Sequence, residues 1–249
     1  MLTHIINLLK TKDDAILTMD ALVRWKKSKN SYSFDSLPKT AIITVFNTKK
    51  AFFSTSKKKK IKGFKGQNFI VENKFVLCTG CGYGAPHVIS LCEELKALGV
   101  SEFIFIGLAG MLDEQLNEGE LFYLDKVFSG TGTSYYYDKQ EMVIPHNLNW
   151  IHTLSKKMGI SPICGWSTDA PFRETITLKN HYIKQGAKIV EMECAAIYAF
   201  ANFYKLNAAC YVITSDRLTN DWQPPQNISK LIEKEQELIT TIKETLWNH

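Results

Sequence analysis

No stretch of this 249-residue sequence is apolar for long enough to cross a bilayer. The longest nearly unbroken run, Phe103 to Leu112, falls far short of the roughly 20 residues that a membrane-spanning helix needs. The N-terminus, MLTHIINLLKTKDD, lacks both a basic n-region and a small-residue cleavage site, so no secretory signal is expected. Cysteine is present but unorganised, at 78, 81, 92, 164, 194 and 210. Cys78-x-x-Cys81 has no second CxxC and no His at zinc spacing; it reads as a strand end running into a turn, and no metal site is expected. Several cysteines sit in apolar stretches, where a free thiol behaves as a small hydrophobe, and reduced thiols point to the cytoplasm. Internal repeats and low-complexity linkers are absent. With 45% hydrophobic and 22% charged residues, the composition excludes a disordered chain. The length suits one large α/β domain or two small ones, and the lack of a linker favours one.

Charge is uneven. Residues 1–65 carry 15 Lys+Arg against 4 Asp+Glu, while 66–249 carry 15 against 21. The sharpest feature is Lys57-Lys58-Lys59-Lys60, followed by Lys62 and Lys65. Because no aromatics are interleaved, the run reads as a solvated loop, and nucleic acid is not an expected partner.

Periodicity places the elements. Ile16, Leu17, Leu22, Val23 and Trp25, with Ile5 to Leu9 before them, predict one or two short amphipathic helices ahead of Pro38. Residues 41–46 read as a buried strand, 68–71 and 74–78 as two more with Glu72-Asn73 as the turn. After the glycine turn TGCGYGAP comes a helix over 86–98, with Pro86 in its first turn and Gly99 closing it. Strands are expected over 103–106, ending in Gly107-Leu108-Ala109-Gly110, over 121–128, over 188–193, and over 208–214, stopping at Ser215-Asp216. Helices are expected over 148–158, 195–204 and 227–247. Strands alternating with helices predict an α/β fold, a three-layer α/β/α sandwich around a mixed, twisted sheet.

In such sheets ligands bind beyond the carboxyl ends of the strands. Those ends carry the glycine turn at 80–84, Gly107 to Gly110, Glu191-Met192-Glu193 and Ser215-Asp216. The glycine turn fails as a dinucleotide fingerprint, because the next strand ends in Ile106-Gly107 rather than in an acid. What remains is backbone able to approach a ligand closely. Glu191 and Glu193, two apart on an expected strand, can share a face. Paired buried carboxylates repel, and hydroxyl donors such as a vicinal diol relieve that cost. Asp216 follows an apolar strand, where an acid for catalysis would sit.

Taken in order, the glycine turn, the G-x-A-G strand, Ser167-x-Asp169-x-x-Phe172, Val190-Glu-Met-Glu-Cys-Ala-Ala196 and the strand closing on Ser215-Asp216 resemble the nucleoside phosphorylase and nucleosidase family. That family holds hexameric purine nucleoside phosphorylases, uridine phosphorylases and methylthioadenosine nucleosidases. The resemblance covers roughly residues 40–246, giving an N-terminal extension over 1–39 and a nucleoside phosphorylase-like domain over 40–249. It implies cleavage of a nucleoside N-glycosidic bond, by phosphorolysis to free base and ribose 1-phosphate. The alternatives are a hydrolytic nucleosidase and a nucleoside-binding sensor without turnover. Glu193 would hold the ribose 2′- and 3′-hydroxyls, Met192 would lie under the sugar, and Glu191 would be the first carboxylate of the motif. Asp216 would protonate or hydrogen-bond the departing base, with Phe172 (Pro171 if the register slips) and Gly110 at the base. No cofactor is implied, only inorganic phosphate as a co-substrate. The partners implied are a small-molecule nucleoside and further copies of the chain, as a dimer or hexamer, and no membrane.

The departures fall on the anion site. The purine phosphorylases bind phosphate with a Gly-Asp-Pro-x-x-Arg turn after the first strand; here it reads Phe46-Asn47-Thr48-Lys49-Lys50. An Arg inside the strand before G-x-x-G and a Ser after its first Gly are replaced by Phe105 and Leu108. The carboxylate with which nucleosidases activate water would fall on Asn47 or Thr48. The remaining anion candidates are Lys49, Lys50, Gly82, Thr133 and Ser134.

Overall fold

The computed structural model describes residues 15–46, 57–219 and 221–247. Eleven strands among them form one mixed sheet: β1 (Thr40–Thr44), β2 (Lys58–Ile61), β3 (Gln67–Val71), β4 (Phe75–Thr79), β5 (Glu102–Met111), β6 (Leu121–Gly130), β7 (Met142–Val143), β8 (Ser161–Thr168), β9 (Ile189–Glu191), β10 (Asn207–Leu218) and β11 (Trp222–Gln223). Their order is β11-β10-β6-β8-β9-β5-β1-β4-β3-β2, with β7 on β6. β10 also pairs with β5 in parallel, so β5, β10, β6, β8 and β9 close on themselves while β1 to β4 run on as an open sheet. β1 and β4 are wholly buried β-branched and apolar runs, as strands covered on both faces must be.

The helices are α1 (Met19–Ser28), α2 (Ala85–Ala97), α3 (Leu148–Lys157), α4 (Ile176–Lys184), α5 (Cys194–Tyr204) and α6 (Ile228–Trp247). α2 packs on both α1 and α5, and α3 packs on α6, giving a helical group on each side of the strands. α5, CAAIYAFANFY, is buried from Cys194 to Ala201, and a helix apolar all round belongs in the core. None of the described helices is long and apolar enough to cross a membrane.

The α/β architecture with a central mixed sheet is the expected one. Most expected elements appear within a few residues, and the Glu72-Asn73 turn has both φ values positive, as a tight hairpin requires. α1 docks through Val23, which is buried, and Lys26, which bonds Glu94 of α2 and the carbonyl of Gly63. Ile5 to Leu9 lie outside the described residues.

Four readings need correction. The lysine run is not a loop: Lys58–Lys60 form the exposed edge strand β2, where charge discourages pairing with another chain. Gly107 to Gly110 lie inside β5 rather than after it. β10 does not stop at Ser215; it bulges between Thr214 and Arg217 and continues to Leu218. β8 and α4 have no counterpart in the expected elements, because Ser161–Thr168 shows no clean alternation and α4 buries no residue completely.

Candidate active site

β9 crosses the end of β5 antiparallel, Val190 opposite Gly110, and this brings the Glu191–Glu193 segment to the carboxyl end of β5. The β10 bulge, the glycine turn after β4 and a short 3-10 turn after β8 (Pro171–Arg173) complete the rim. Together they enclose a cavity of about 810 Å³, within the range of small-molecule sites. Val45, Phe46, Tyr83, Leu108, Gly110, Pro171, Phe172, Glu174, Glu191, Met192, Glu193, Ser215, Asp216 and Trp222 line it with two apolar neighbours.

The two glutamates do not share a strand face. Glu191 ends β9, while Glu193 has left the strand and stands at the N-cap of α5, with φ −134° and ψ −38°. Glu191 turns back on its own chain. One oxygen accepts from Glu193 N–H and Cys194 N–H, both at 2.7 Å, and the other from the Ser167 hydroxyl, which itself accepts from Ala195 N–H at 2.9 Å. Glu191 thereby caps α5 in place of Glu193. Glu193 is freed to face the cavity and accepts the N–H of Gly84 at 2.5 Å. Gly84 sits at φ +96°, a conformation L side chains rarely adopt, which explains the glycine there. Burial first, and the charge of Glu191 second, push the Glu193 carboxyl up to about 8. Burial also raises Glu191, against the pull of its hydrogen bonds.

From β10, Asp216 accepts from the Ser215 hydroxyl at 2.7 Å and from the Trp222 indole N–H at 2.8 Å. Gly110 keeps the space beside it open: a Cβ there would come within 2.3 Å of the Leu218 side chain and 3.5 Å of the Asp216 carboxylate. Phe172 projects from the 3-10 turn fully exposed, 99%, at the mouth. Glu174 follows that turn and is pushed up to about 7, by burial first and by Asp216 second. Sequence reasoning passed over Glu174, Ser167 as an anchor, and Trp222. Ser167 opens the S-x-D-x-x-F segment and Glu174 follows it, neither with a pattern that marks a role, and Trp222 is brought to the site by the β10–β11 pairing and its bond to Asp216.

The anion candidates fare differently. Leu108 does reach the cavity, as an apolar wall, whereas Phe105 is in the core. Ser134 is fully buried and bonds Ser129, Thr131 and the carbonyl of Thr131, so its hydroxyl is committed to the fold. Neither Ser134, Thr133 nor Gly82 lines the cavity. Lys49 and Lys50, with Asn47 and Thr48, lie outside the described residues. Among those described, no three His, Cys, Asp or Glu side chains group as metal ligands.

One further buried acid lies behind the site. Glu235 falls on the apolar stripe of α6 with Leu231, Leu238 and Ile242, beside Thr44 and Phe46, and burial pushes it up to about 8. Glu193 and Glu235 therefore hold protons in the fold that the unfolded chain releases near 4.5. Stability from this source is complete below that value and is lost as pH rises toward 8. The urea midpoint of the ligand-free protein is expected to fall between pH 5.5 and 8.5, and Glu235→Gln to flatten the fall. A midpoint that rises over this interval would contradict the burial of these acids.

With the geometry in place, similarity to known proteins is informative. The profile of the Phosphorylase superfamily matches residues 44–246. A DeoD-type purine nucleoside phosphorylase of Streptococcus pneumoniae is 26% identical over 167 residues, 64% of this chain and 71% of that protein. An uncharacterized protein of Acanthamoeba polyphaga mimivirus is 25% identical over 151 residues, 59% of each chain. Among solved structures, the uridine phosphorylase of Vibrio fischeri superposes with a TM-score of 0.71 at 18% identity, covering 86% of this chain and 93% of its own. The Campylobacter jejuni 5′-methylthioadenosine/S-adenosyl homocysteine nucleosidase gives 0.67 at 16%, covering 85% and 100%. At such identities the superpositions speak for the fold alone. The profile match, however, spans most of the chain and takes in every residue that lines the cavity, and the chain belongs to the Phosphorylase superfamily.

Proposed function

We propose that the protein cleaves the N-glycosidic bond of a nucleoside, transferring the ribosyl group to inorganic phosphate as co-substrate. The observation that carries this reading is the Glu193 carboxyl. It is 4% exposed, accepts from backbone N–H groups, Gly84 among them, with no side-chain donor among the described residues, and faces a cavity also lined by Asp216 and Glu174. A buried carboxylate with spare acceptor capacity is costly unless donors are brought to it, and the two hydroxyls of a ribose supply them. Met192, its neighbour in sequence, also lines the cavity and would pack under the sugar. Glu191 acts as a positioning residue, fixing the turn from which Glu193 projects. The base then lies toward Phe172, Gly110 and Asp216. As the C1′–N bond breaks, its electron pair passes to the base, and a protonated carboxyl beside the base stabilises that charge by donating to a ring nitrogen. The sugar, held at Glu193, keeps C1′ in place for the acceptor.

The homo-oligomer implied by the resemblance belongs to the same proposal. Phe172 and Tyr83, 99% and 77% exposed, form a mouth that a second copy would cover.

Leu108 in the cavity wall favours a second reading, in which water is the acceptor. A multiply charged anion against an apolar wall lacks the donors it needs. Phosphate dependence is therefore expected to be weak, with an apparent constant at or above about 1 mM, some −4 kcal/mol of binding. Titrating base release with phosphate decides this. Saturation at low micromolar phosphate would show a complete anion site. Release indifferent to phosphate, with ribose as product, would replace phosphorolysis by hydrolysis.

A further inference from the structure

We propose that Glu174, which lines both the main cavity and the chamber beside it, and not Asp216, carries the proton delivered to the departing base. This rests on the nucleoside-cleaving reading and assigns a further catalytic residue within it.

Three features set the two acids apart. First, Asp216 is already engaged: each carboxylate oxygen accepts a hydrogen bond, one from Ser215 and one from Trp222. The two donors fix its orientation and occupy both oxygens, which leaves it less free to turn toward a ligand. Glu174 has no side-chain hydrogen bond among the described residues, so its carboxyl is free to meet a ligand. Second, the fold places Glu174 between two hollows. It lines the main cavity together with Asp216 and Trp222, and also a side chamber of about 130 Å³ behind them, with Trp166 and Ile176. The 3-10 turn Pro171–Arg173 ends at Glu174, and Thr175 caps α4 immediately after it, so the carboxyl is held between two fixed elements. Third, burial and the Asp216 charge hold the Glu174 proton up to about 7, where a group both carries and releases a proton near neutrality.

The other charged or titratable groups around these hollows do not offset that neighbour. The Lys179 ammonium, on α4, is bound to the carbonyl of Thr219. Asp221 precedes β11, Glu191 and Glu193 line the main cavity, and Tyr83 stands at its rim. Arg173, next in sequence, is in the 3-10 turn. Of the groups around these hollows, Asp216 is the charged one that acts on the Glu174 proton.

The step balances simply. The C1′–N bond breaks and its electron pair goes to the base. The O–H bond of Glu174 breaks and its proton goes to a ring nitrogen of that base. The acceptor oxygen forms the new bond to C1′, a water acceptor shedding its second proton to solvent. Glu174, left as a carboxylate beside Asp216, regains a proton from solvent before the next turnover.

The test is the pH dependence of kcat at saturating nucleoside, where the sugar keeps Glu193 engaged, for the parent, Glu174→Gln and Asp216→Asn. In the parent, kcat is expected to fall on the alkaline side as Glu174 loses its proton. Glu174→Gln should lower kcat about a hundredfold at pH 6.5 and abolish that fall. Asp216→Asn, which leaves Glu174 in place but removes its charged neighbour, should move the fall to lower pH. Titration of the Glu174 carboxyl by ¹³C NMR, without any nucleoside, should show the same downward move in Asp216→Asn. A folded Glu174→Gln protein with parental kcat, or with the parental alkaline fall, overturns the assignment while base release by the parent leaves the nucleoside reading standing. A parent that releases no base from any nucleoside overturns that reading, and this one with it.

Discussion

Asp216→Asn should lower kcat for base release by about tenfold at pH 7.5, with a smaller change in KM. The amide keeps the shape of the carboxylate, so the cavity and the β10 bulge should persist. It cannot keep the electrostatics. One of the two donors now at Asp216, the Ser215 hydroxyl or the Trp222 indole N–H, would face an amide NH₂ in place of an oxygen. The negative charge that helps to hold a proton on Glu174 also disappears. The deficit should therefore shrink toward pH 6, where Glu174 keeps its proton without help. A mutant as active as the parent across this range would remove Asp216 from the site.

Glu193→Gln should weaken ribonucleoside binding by more than tenfold, above about 1.4 kcal/mol. The parent carboxyl stands at about 8 in the free protein, and ribose hydroxyls favour its charged form. Binding to the parent must therefore release a proton, and affinity should rise with pH until about 8 and then level. The glutamine variant should lose that pH dependence, together with any preference for a ribonucleoside over its 2′,3′-dideoxy analogue. The Gly84 N–H can still donate to the glutamine oxygen, so the turn should remain in place. Calorimetry on both proteins with both ligands reads these effects. Unchanged ribonucleoside affinity in a folded variant would remove the sugar-site assignment.

Those two residues were legible in the sequence because each ends a segment whose pattern is unambiguous. An apolar run leads into Asp216, and Glu193 opens a wholly apolar helix. What they do depends on matters that a linear pattern does not hold. Spacing alone put Glu191 and Glu193 on one strand face. The chain instead leaves the strand after Glu191, since that carboxylate caps the helix, and only then can Glu193 turn outward. Glu174 illustrates the same limit. It lies between a 3-10 turn and a helix with no completely buried residue, so no periodicity marks it, and its proton affinity comes partly from Asp216, which lies far along the chain. The closed ring of strands escaped notice for a related reason. It depends on β10 pairing with β5 as well as with β6, a choice made by long-range packing. The lysine run forms a strand where a loop is expected because charge patterns report solvent exposure, which an edge strand and a loop share.

The central claim, that this cavity cleaves nucleosides, is tested most directly by incubating the protein with a panel of purine and pyrimidine ribonucleosides, with and without phosphate. Free base is followed by chromatography and the sugar product by NMR. The account predicts free base and an equimolar sugar product from at least one ribonucleoside, formed more slowly at subsaturating nucleoside by Glu193→Gln and by Asp216→Asn. Binding of a ribonucleoside with no base released from any member of the panel, at any phosphate concentration, would contradict it.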